Sequence, residues 1–247
     1  MGLTKSEIQD RVLREAQIPD DSGAASVLAQ ADILNYIDER ARDIWGRRSW
    51  REYLILGSFS VPADTHLISL SSITPDSSFA ALSGYGGYSN VFAEVKAIRE
   101  GTTPFLPEDA DAINTMQADL WASTTTPVQF VNLGKRGIYL LGTFTTATTL
   151  NFFGKADFSN LETTDQWILG NDLCLIYGAT ADLIRANDRD TQRSLIWEQR
   201  FNAEIQKLID LSEVQAASIK RFIPGVPWTD LQNTNQFDTS VTGTSLY

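Results

Sequence analysis

The sequence predicts an α+β protein: a helical bundle built around a long C-terminal helical hairpin, with an inserted antiparallel β-rich segment and an extended C-terminal arm. Three observations carry this. Apolar residues recur at helical spacing between Thr163 and Leu211. From Tyr53 the hydrophobic period changes from about 3.6 residues to about 2. From Phe222 onward the chain carries only two charged residues, Asp230 and Asp238, yet keeps its aromatics. The expected organisation is residues 1–52 and 163–221 as the bundle, 53–162 as the insertion and 222–247 as the arm.

Thr4 or Ser6 can cap a first helix running to about Ala16, with Ile8, Val12 and Leu13 as its apolar face. Pro19-Asp20-Asp21-Ser22-Gly23 reads as a loop. A longer helix follows, with Val27, Leu34, Ile37, Ala41, Ile44 and Trp45 in a stripe that ends at Gly46. Arg40, Arg42, Arg47, Arg48 and Arg51 crowd its end. Cations there complement the negative end of the helix dipole and can pair with Asp38, Glu39, Asp43 and Glu52 on the surface. A protein interface and a phosphate contact are the other two readings of the cluster.

In the insertion, Tyr53 to Val61 reads as a strand, Pro62-Ala63-Asp64-Thr65 as a tight turn, and Leu67 to Leu70 as the returning partner. Ser77 to Asn90 is a loop, within which Gly84-Tyr85-Gly86-Gly87-Tyr88 lacks the lysine and the helix start of a phosphate cradle and reads as flexible. Val91, Ala93, Val95, Ala97 and Ile98 form a third strand. Pro107-Glu108-Asp109 opens a short helix to Trp121. Strands follow at Val128–Leu133, Gly137–Leu141 and Thr148–Phe153, the first two joined by a Gly134-Lys135-Arg136 turn.

Thr163-Thr164-Asp165 reads as the start of the hairpin's first helix. Leu169, Leu173, Ile176, Ala179 and Leu183 lie on one face, and Trp167, Cys174, Tyr177 and Ala181 on another. Gly170, Cys174 and Gly178, four apart, form a smooth strip where a second backbone can come close. Asn187 to Asp190 breaks the pattern. In the second helix Trp197, Phe201, Ile205, Leu208 and Ile209 face inward and Glu198, Arg200, Glu204 and Lys207 outward. Each arm is expected to be roughly 35 Å long. The arm beyond spaces out Phe222, Trp228, Leu231, Phe237 and Tyr247 in a manner suited to docking on its own body or on a neighbouring subunit.

Composition narrows the function. The net charge is −11, and residues 1–52, 53–162 and 163–214 each carry more acid than base. That opposes an affinity built on coating phosphates. A single cysteine provides no disulfide framework, and no apolar run approaches the ~20 residues of a membrane span. The opening Met-Gly-Leu-Thr-Lys-Ser-Glu has no signal core, so the expectation is a soluble protein made in cytosol. His66 is the only histidine and sits at a turn-to-strand junction. Cys174 lies mid-helix among apolar neighbours, and no carboxylate pair or G-x-S-x-G elbow stands out. No catalytic residue, metal or cofactor is expected. Tyr85, Tyr88, Trp121 and Tyr139 leave a glycan-binding or hydrolytic module as a second class.

The second half resembles the head-to-tail connector (adaptor or neck) proteins of tailed bacteriophages. Pro127-Val128-Gln129-Phe130, Gly134 and Gly137-Ile138-Tyr139-Leu140-Leu141 resemble the family's strand pair. Thr148 to Phe153 with Phe158, Asn160 and Leu161 resembles its last strand and exit loop. Trp167 to Ala179 and Arg193 to Leu208 resemble its two closing helices, and Ile44-Trp45 running into Trp50-Arg51-Glu52-Tyr53 fits the same pattern. The resemblance spans residues 25–210. It implies a non-enzymatic virion protein at the portal vertex, assembled in the host cytoplasm as a homo-oligomeric ring of about twelve copies. Portal and tail or nozzle proteins are the implied partners, and DNA passes through the central channel without specific binding. No membrane is involved. Arg47, Arg48, Arg51, Phe222, Trp228, Leu231, Phe237 and Tyr247 are the candidate interface residues. Another tail-completion ring protein is the alternative within the structural class.

Overall fold

Thr4 and Glu7 start the first helix by capping each other. The Glu7 carboxylate accepts from the Thr4 amide (2.8 Å), and the Glu7 amide donates to the Thr4 hydroxyl (3.3 Å). The Thr4 amide, and the Thr4 hydroxyl donating to the same carboxylate (3.1 Å), hold the Glu7 carboxyl below its usual range. Helix α1 (Lys5–Ala16) then buries Ile8, Val12 and Ala16 at four-residue spacing. Helix α2 (Ala24–Arg47) follows, with Ile33, Ile37, Ala41 and Ile44 fully buried.

The computed structural model describes residues 2–16, 24–77, 84–109, 113, 127–187 and 191–222, with side chains described outside 24–30 and 213–222. By its contacts the chain divides into Met1–Ser212 and Glu213–Tyr247; all the packing below belongs to the first unit. No helix among the described residues is long and apolar enough to cross a membrane.

Strand β1 (Leu54–Val61) begins a run of short extended segments: β2 (Leu67–Ile68), β3 (Thr74–Pro75), β4 (Tyr85–Gly86), β5 (Phe92–Glu100), β6 (Thr103–Pro104), β7 (Leu106–Glu108), β8 (Gln129–Asn132), β9 (Ile138–Leu140), β10 (Thr148–Ala156) and β11 (Gln166–Trp167). They form a five-stranded antiparallel sheet of order β3-β1-β10-β5-β6 and a four-stranded sheet of order β2-β9-β8-β7. A parallel pair, β4 with β11, stands apart. The mixture of helices and largely antiparallel sheet is α+β.

Three sequence expectations change here. Leu67-Ile68 does not return against β1; it pairs with β9, and β1 lies between β10 and β3. The eight-residue register of β1 against β10, from Leu54–Lys155 to Val61–Thr148, buries far more than the short hairpin could. In β5 the buried residues are Phe92, Val95 and Ile98, a step of three, and Val91 is exposed. The register against β10 shifts twice, leaving Ala93 and Lys96 without opposite numbers. Gly154 sits at one shift, where any side chain would run into the Glu94 carbonyl. Finally, Pro107 and Glu108 belong to β7, parallel to β8, because proline suits an edge strand as well as a helix start. The rest of the predicted 107–121 helix lies outside the described residues.

The helical end also begins later than predicted. Asp165 does not cap a helix: its carboxylate accepts the Glu162 amide, three residues earlier, at 2.9 Å, and Gln166 and Trp167 then extend to pair with Tyr85 and Gly86. Gly170, at φ +71°, reverses the chain, and α3 runs only from Asp172 to Asn187. Its 16 residues span about 24 Å, not 35. Helix α4 (Thr191–Phe222) has 32 residues and spans about 48 Å. The glycine-rich stretch is equally ordered: a side chain on Gly86 would strike Asp165, and one on Gly87 would press on the Tyr53 hydroxyl and the Trp167 ring. Gly86 and Gly87 thus serve close packing, Gly87 against a fully buried Trp167.

Sheet and helices are sewn together at the end of α2. The Trp45 indole donates to the Ala156 carbonyl (3.1 Å), and the Lys155 ammonium donates back to the Trp45 carbonyl while lying 3.9 Å from the Trp45 ring centre. Trp50 closes the helix by donating to the Ile44 carbonyl (2.7 Å). Burial pulls the Lys155 ammonium down to about 8, opposed by Glu94 and reinforced by Lys96. The folded chain therefore releases this proton before the unfolded chain does. Between pH 8 and about 10 the unfolded state binds more protons, and this residue's contribution to stability rises with pH. Urea unfolding of the native chain at pH 7.5 and 10, compared with Lys155→Met, is expected to show a more favourable pH slope in the native protein. Equal slopes would remove Lys155 from that account.

Candidate interaction surfaces

Arg40 lies at the centre of the helical half. Its guanidinium donates to both Asp182 oxygens of α3 (2.6 and 2.6 Å) and to both Glu198 oxygens of α4 (2.9 and 2.8 Å). Only 12 % of its side chain is exposed. Burial alone would lower the affinity of this guanidinium for its proton; the two carboxylates outweigh that and hold it above its usual value. The stem crosses α3 where Gly178 has no side chain. A Cβ there would sit 2.9 Å from Arg40 Cγ and Cδ and 3.1 Å from Phe201. The small residue predicted to admit a second backbone instead admits an arginine. Asp182 and Glu198 also receive Arg185 at 3.4 and 3.6 Å, making a four-charge cluster.

Three side-chain contacts join α4 to α3 and to Asn171 just before it. The Ser194 hydroxyl donates to the Ala181 carbonyl (3.0 Å), the Tyr177 and Trp197 rings are 5.5 Å apart, and Asn171 donates to Glu204 (3.3 Å). Trp197, Phe201, Ile205 and Leu208 are buried as predicted. Glu198 and Glu204 are not on the outer face: Glu198 turns to Arg40, and Glu204 is 9 % exposed. Lys207 holds the Glu204 carboxyl below its usual range.

The arginine cluster divides. Arg40 is inside. Arg47 is exposed but engaged, donating to Asp43 (2.7 Å) with its guanidinium 5.4 Å from the Phe201 ring centre. Arg42 bonds Asn160 (3.1 Å) and covers Phe158. Arg48 is half-buried, and Arg51 is exposed in the short turn Arg51–Tyr53. Asp38, read as a surface partner, is buried against Lys5 instead (2.8 Å). Neither tryptophan offers a free stacking face beside these arginines: Trp50 is 2 % exposed, and Trp45 lies under Lys155. Phe222 ends α4; Trp228, Leu231, Phe237 and Tyr247 lie outside the described residues.

The aromatics of the β segment do not converge. Tyr88 is buried edge-on against Tyr53, Tyr139 stacks on His66, Tyr85 is exposed, and Trp121 lies outside the described residues. His66 is half-buried, with Nδ1 3.3 Å from the Leu140 carbonyl. Burial pushes the Cys174 thiol up to about 12, far from a reactive thiolate at neutral pH. No group of three or more His, Cys, Asp or Glu among the described residues is placed to hold a metal ion.

Two surfaces went unread in the sequence. One is a depression of about 470 Å³ between α2 and α3, walled by Tyr36, Glu39, Asp43 and Arg185. The other is the outer face of α4, where Leu195 and Ile196 are 56 % and 53 % exposed. Burial, then Asp32, Asp182 and Glu39, hold the Tyr36 hydroxyl above its ordinary value. The spacing of Asp32, Glu39 and Asp43 on α2 was the available signal for the first surface, and Gln192, Gln199 and Gln206 at seven-residue spacing on α4 for the second.

Replacing Arg40 by Met strands two carboxylates and is expected to cost about 2–4 kcal/mol. Arg40→Lys keeps the charge but loses the fork and is expected to fall between. Changing Asp182 and Glu198 to Leu in the Arg40→Met background is expected to recover most of the loss. Urea midpoints of the four proteins check this; a Met variant within 0.5 kcal/mol of native would show the cluster to be ornamental.

No protein-family model matches this chain, and no curated protein sequence matches it.

Proposed function

We propose that this chain is a head-to-tail connector of a tailed bacteriophage. In this reading it is a structural virion protein whose copies form an adaptor ring between portal and tail and line the DNA exit channel. The observation that carries the reading is how the β-rich segment is inserted. It leaves at the end of α2 and comes back beside it: Ala156 accepts from Trp45, Arg42 meets Asn160, and Leu161 donates to Asp38 (3.2 Å). The resemblance rests on this order of elements, a helix into the sheet and the sheet into two closing helices. The finer architecture belongs to the same proposal: α3 and α4 form a clasped hairpin, and residues 222–247 are an arm that orders on the portal or the next subunit.

The charge distribution favours passage over binding. Lys5, Arg40, Arg47, Arg185 and Lys207 are each engaged by a carboxylate of the same chain. A net charge of −11 repels phosphate, so DNA slides past without sticking. The glycan-module alternative draws less support, because Tyr88 is in the core and Tyr139 is already stacked.

Co-expression with the portal protein of the same particle tests the proposal. The expected product is a portal-bound ring of about twelve copies by native mass measurement. Deleting residues 222–247 is expected to leave the helical signal and the melting temperature of the body intact while abolishing incorporation into particles. A folded chain that ignores the portal, or that binds or cleaves polysaccharide alone, would overturn the assignment.

A further inference from the structure

The outer face of α4 has an unusual charge pattern for so acidic a chain. From Thr191 to Lys207 its exposed residues include no acid: Glu198 is turned to Arg40 and Glu204 is buried. What remains is Leu195, Ile196, Gln199 and Ala203 in the middle, with Arg200 and Lys207 along one border. Arg200 lies over the Trp197 ring at 4.6 Å, and Lys207, though paired with the buried Glu204, is 68 % exposed, so both cations stand at the surface. This strip is about 24 Å long.

The α2–α3 depression has the opposite character. Exposed Asp32, Glu39 and Asp43 stand one above another on α2 at helical spacing, with Tyr36 among them. The depression is lined by three carboxylates (Glu39, Asp43 and Asp182) and two guanidiniums (Arg40 and Arg185). Beside it Asp32 and Glu198 add two carboxylates and Arg47 one guanidinium; Asp182 and Glu198 are answered by Arg40 and Arg185 and Asp43 by Arg47, so the excess acid is that of Asp32 and Glu39.

We infer that these two surfaces are halves of one self-contact: the acid-free face of α4 on one copy docks in the acidic α2–α3 depression of the next. Copies carrying −11 each repel wherever acid meets acid. Here a face without acid, bordered by Arg200 and Lys207, meets a surface with an excess of carboxylates, and Leu195 and Ile196 provide the apolar centre. The two patches are different, so the contact is heterologous and propagates head to tail, the geometry that builds rings. A strip this short buries less than a standard interface, so single contacts are weak and are completed by closure or by a template. The inference deepens the connector reading by naming its subunit contact.

The test is charge exchange in the full chain, followed by sedimentation velocity at concentrations up to several hundred micromolar. One variant carries Arg200→Glu and Lys207→Glu; the other carries Asp32→Lys and Glu39→Lys. All four positions are exposed, and circular dichroism confirms folding. Each variant alone is expected to associate at least about tenfold more weakly than the native chain. An equimolar mixture is expected to recover association, because each altered face then meets its altered counterpart. A native chain that stays monomeric throughout, variants that associate normally, or a mixture that fails to recover would each overturn the contact. Recovery in solution alongside particles that assemble without this chain would keep the contact and remove the connector role.

Discussion

A guanidinium held out of water must be answered by carboxylates in fixed positions, and Arg40 is where the helical body meets that demand. Its partners come from two other helices, and all four carboxylate oxygens are used. Such a cluster is a poor source of net stability, since desolvation offsets most of its attraction. Burial of Trp197, Phe201 and Ile205, about 2 kcal/mol each, supplies the driving force. What the cluster supplies is register. Turning α4 by one residue swings Glu198 about 100° away and leaves Arg40 half-answered. Gly178 belongs to the same constraint, because only a missing side chain lets the arginine stem cross α3 at that level.

Two residues earlier on α2, Asp38 points the other way, since two helical steps turn about 200°. It accepts from Lys5 of α1 (2.8 Å) and from the Leu161 amide where the chain leaves the sheet segment (3.2 Å). Lys5 in turn donates to the Leu161 carbonyl (3.0 Å). With 6 % and 11 % side-chain exposure, this pair is more deeply buried than the Arg40 cluster. One helix therefore presents a buried anion to α1 and the returning chain, and a buried cation to α3 and α4. Neither can be released without stranding a charge, which is why the inserted sheet and the helices of Met1–Ser212 hold one arrangement.

The helices with clean period and a cap were legible in the sequence. Thr4 with Ile8 and Val12 announces α1, and Trp197, Phe201 and Ile205 announce the inner face of α4. Legibility failed where a local signal was correct but a distant partner decided the outcome. Thr163-Thr164-Asp165 has the residue types of a helix start, yet Asp165 turns back to the Glu162 amide, and pairing of Gln166-Trp167 with Tyr85-Gly86 extends the chain before a helix can begin. Val91, Ala93 and Ala97 alternate properly, yet two bulges put Phe92, Val95 and Ile98 inside. Arg40 and Glu198 looked like surface residues because residue type alone says nothing of a partner 158 positions away, and Glu204 because nothing local announces its burial against Asn171. The tail residues from Trp228 to Tyr247 remain an expectation from composition.

The same internal pairing shapes what the surface can do. Folding engages Lys5, Arg40 and Arg47 with carboxylates inside one copy, so these cations are already answered while the net charge of −11 is unchanged. Between copies, repulsion of net charge acts over distance, while contact pairs act only on touching. At physiological ionic strength the Debye length is about 8 Å, so the long-range repulsion is damped before two surfaces meet and the short-range pairing survives. An acidic chain of this kind can therefore stay dispersed at low concentration and still add up many weak contacts once a template gathers the copies. Acidity, which argues against gripping DNA, is thus compatible with assembly around it, provided that attraction is confined to a few acid-free faces.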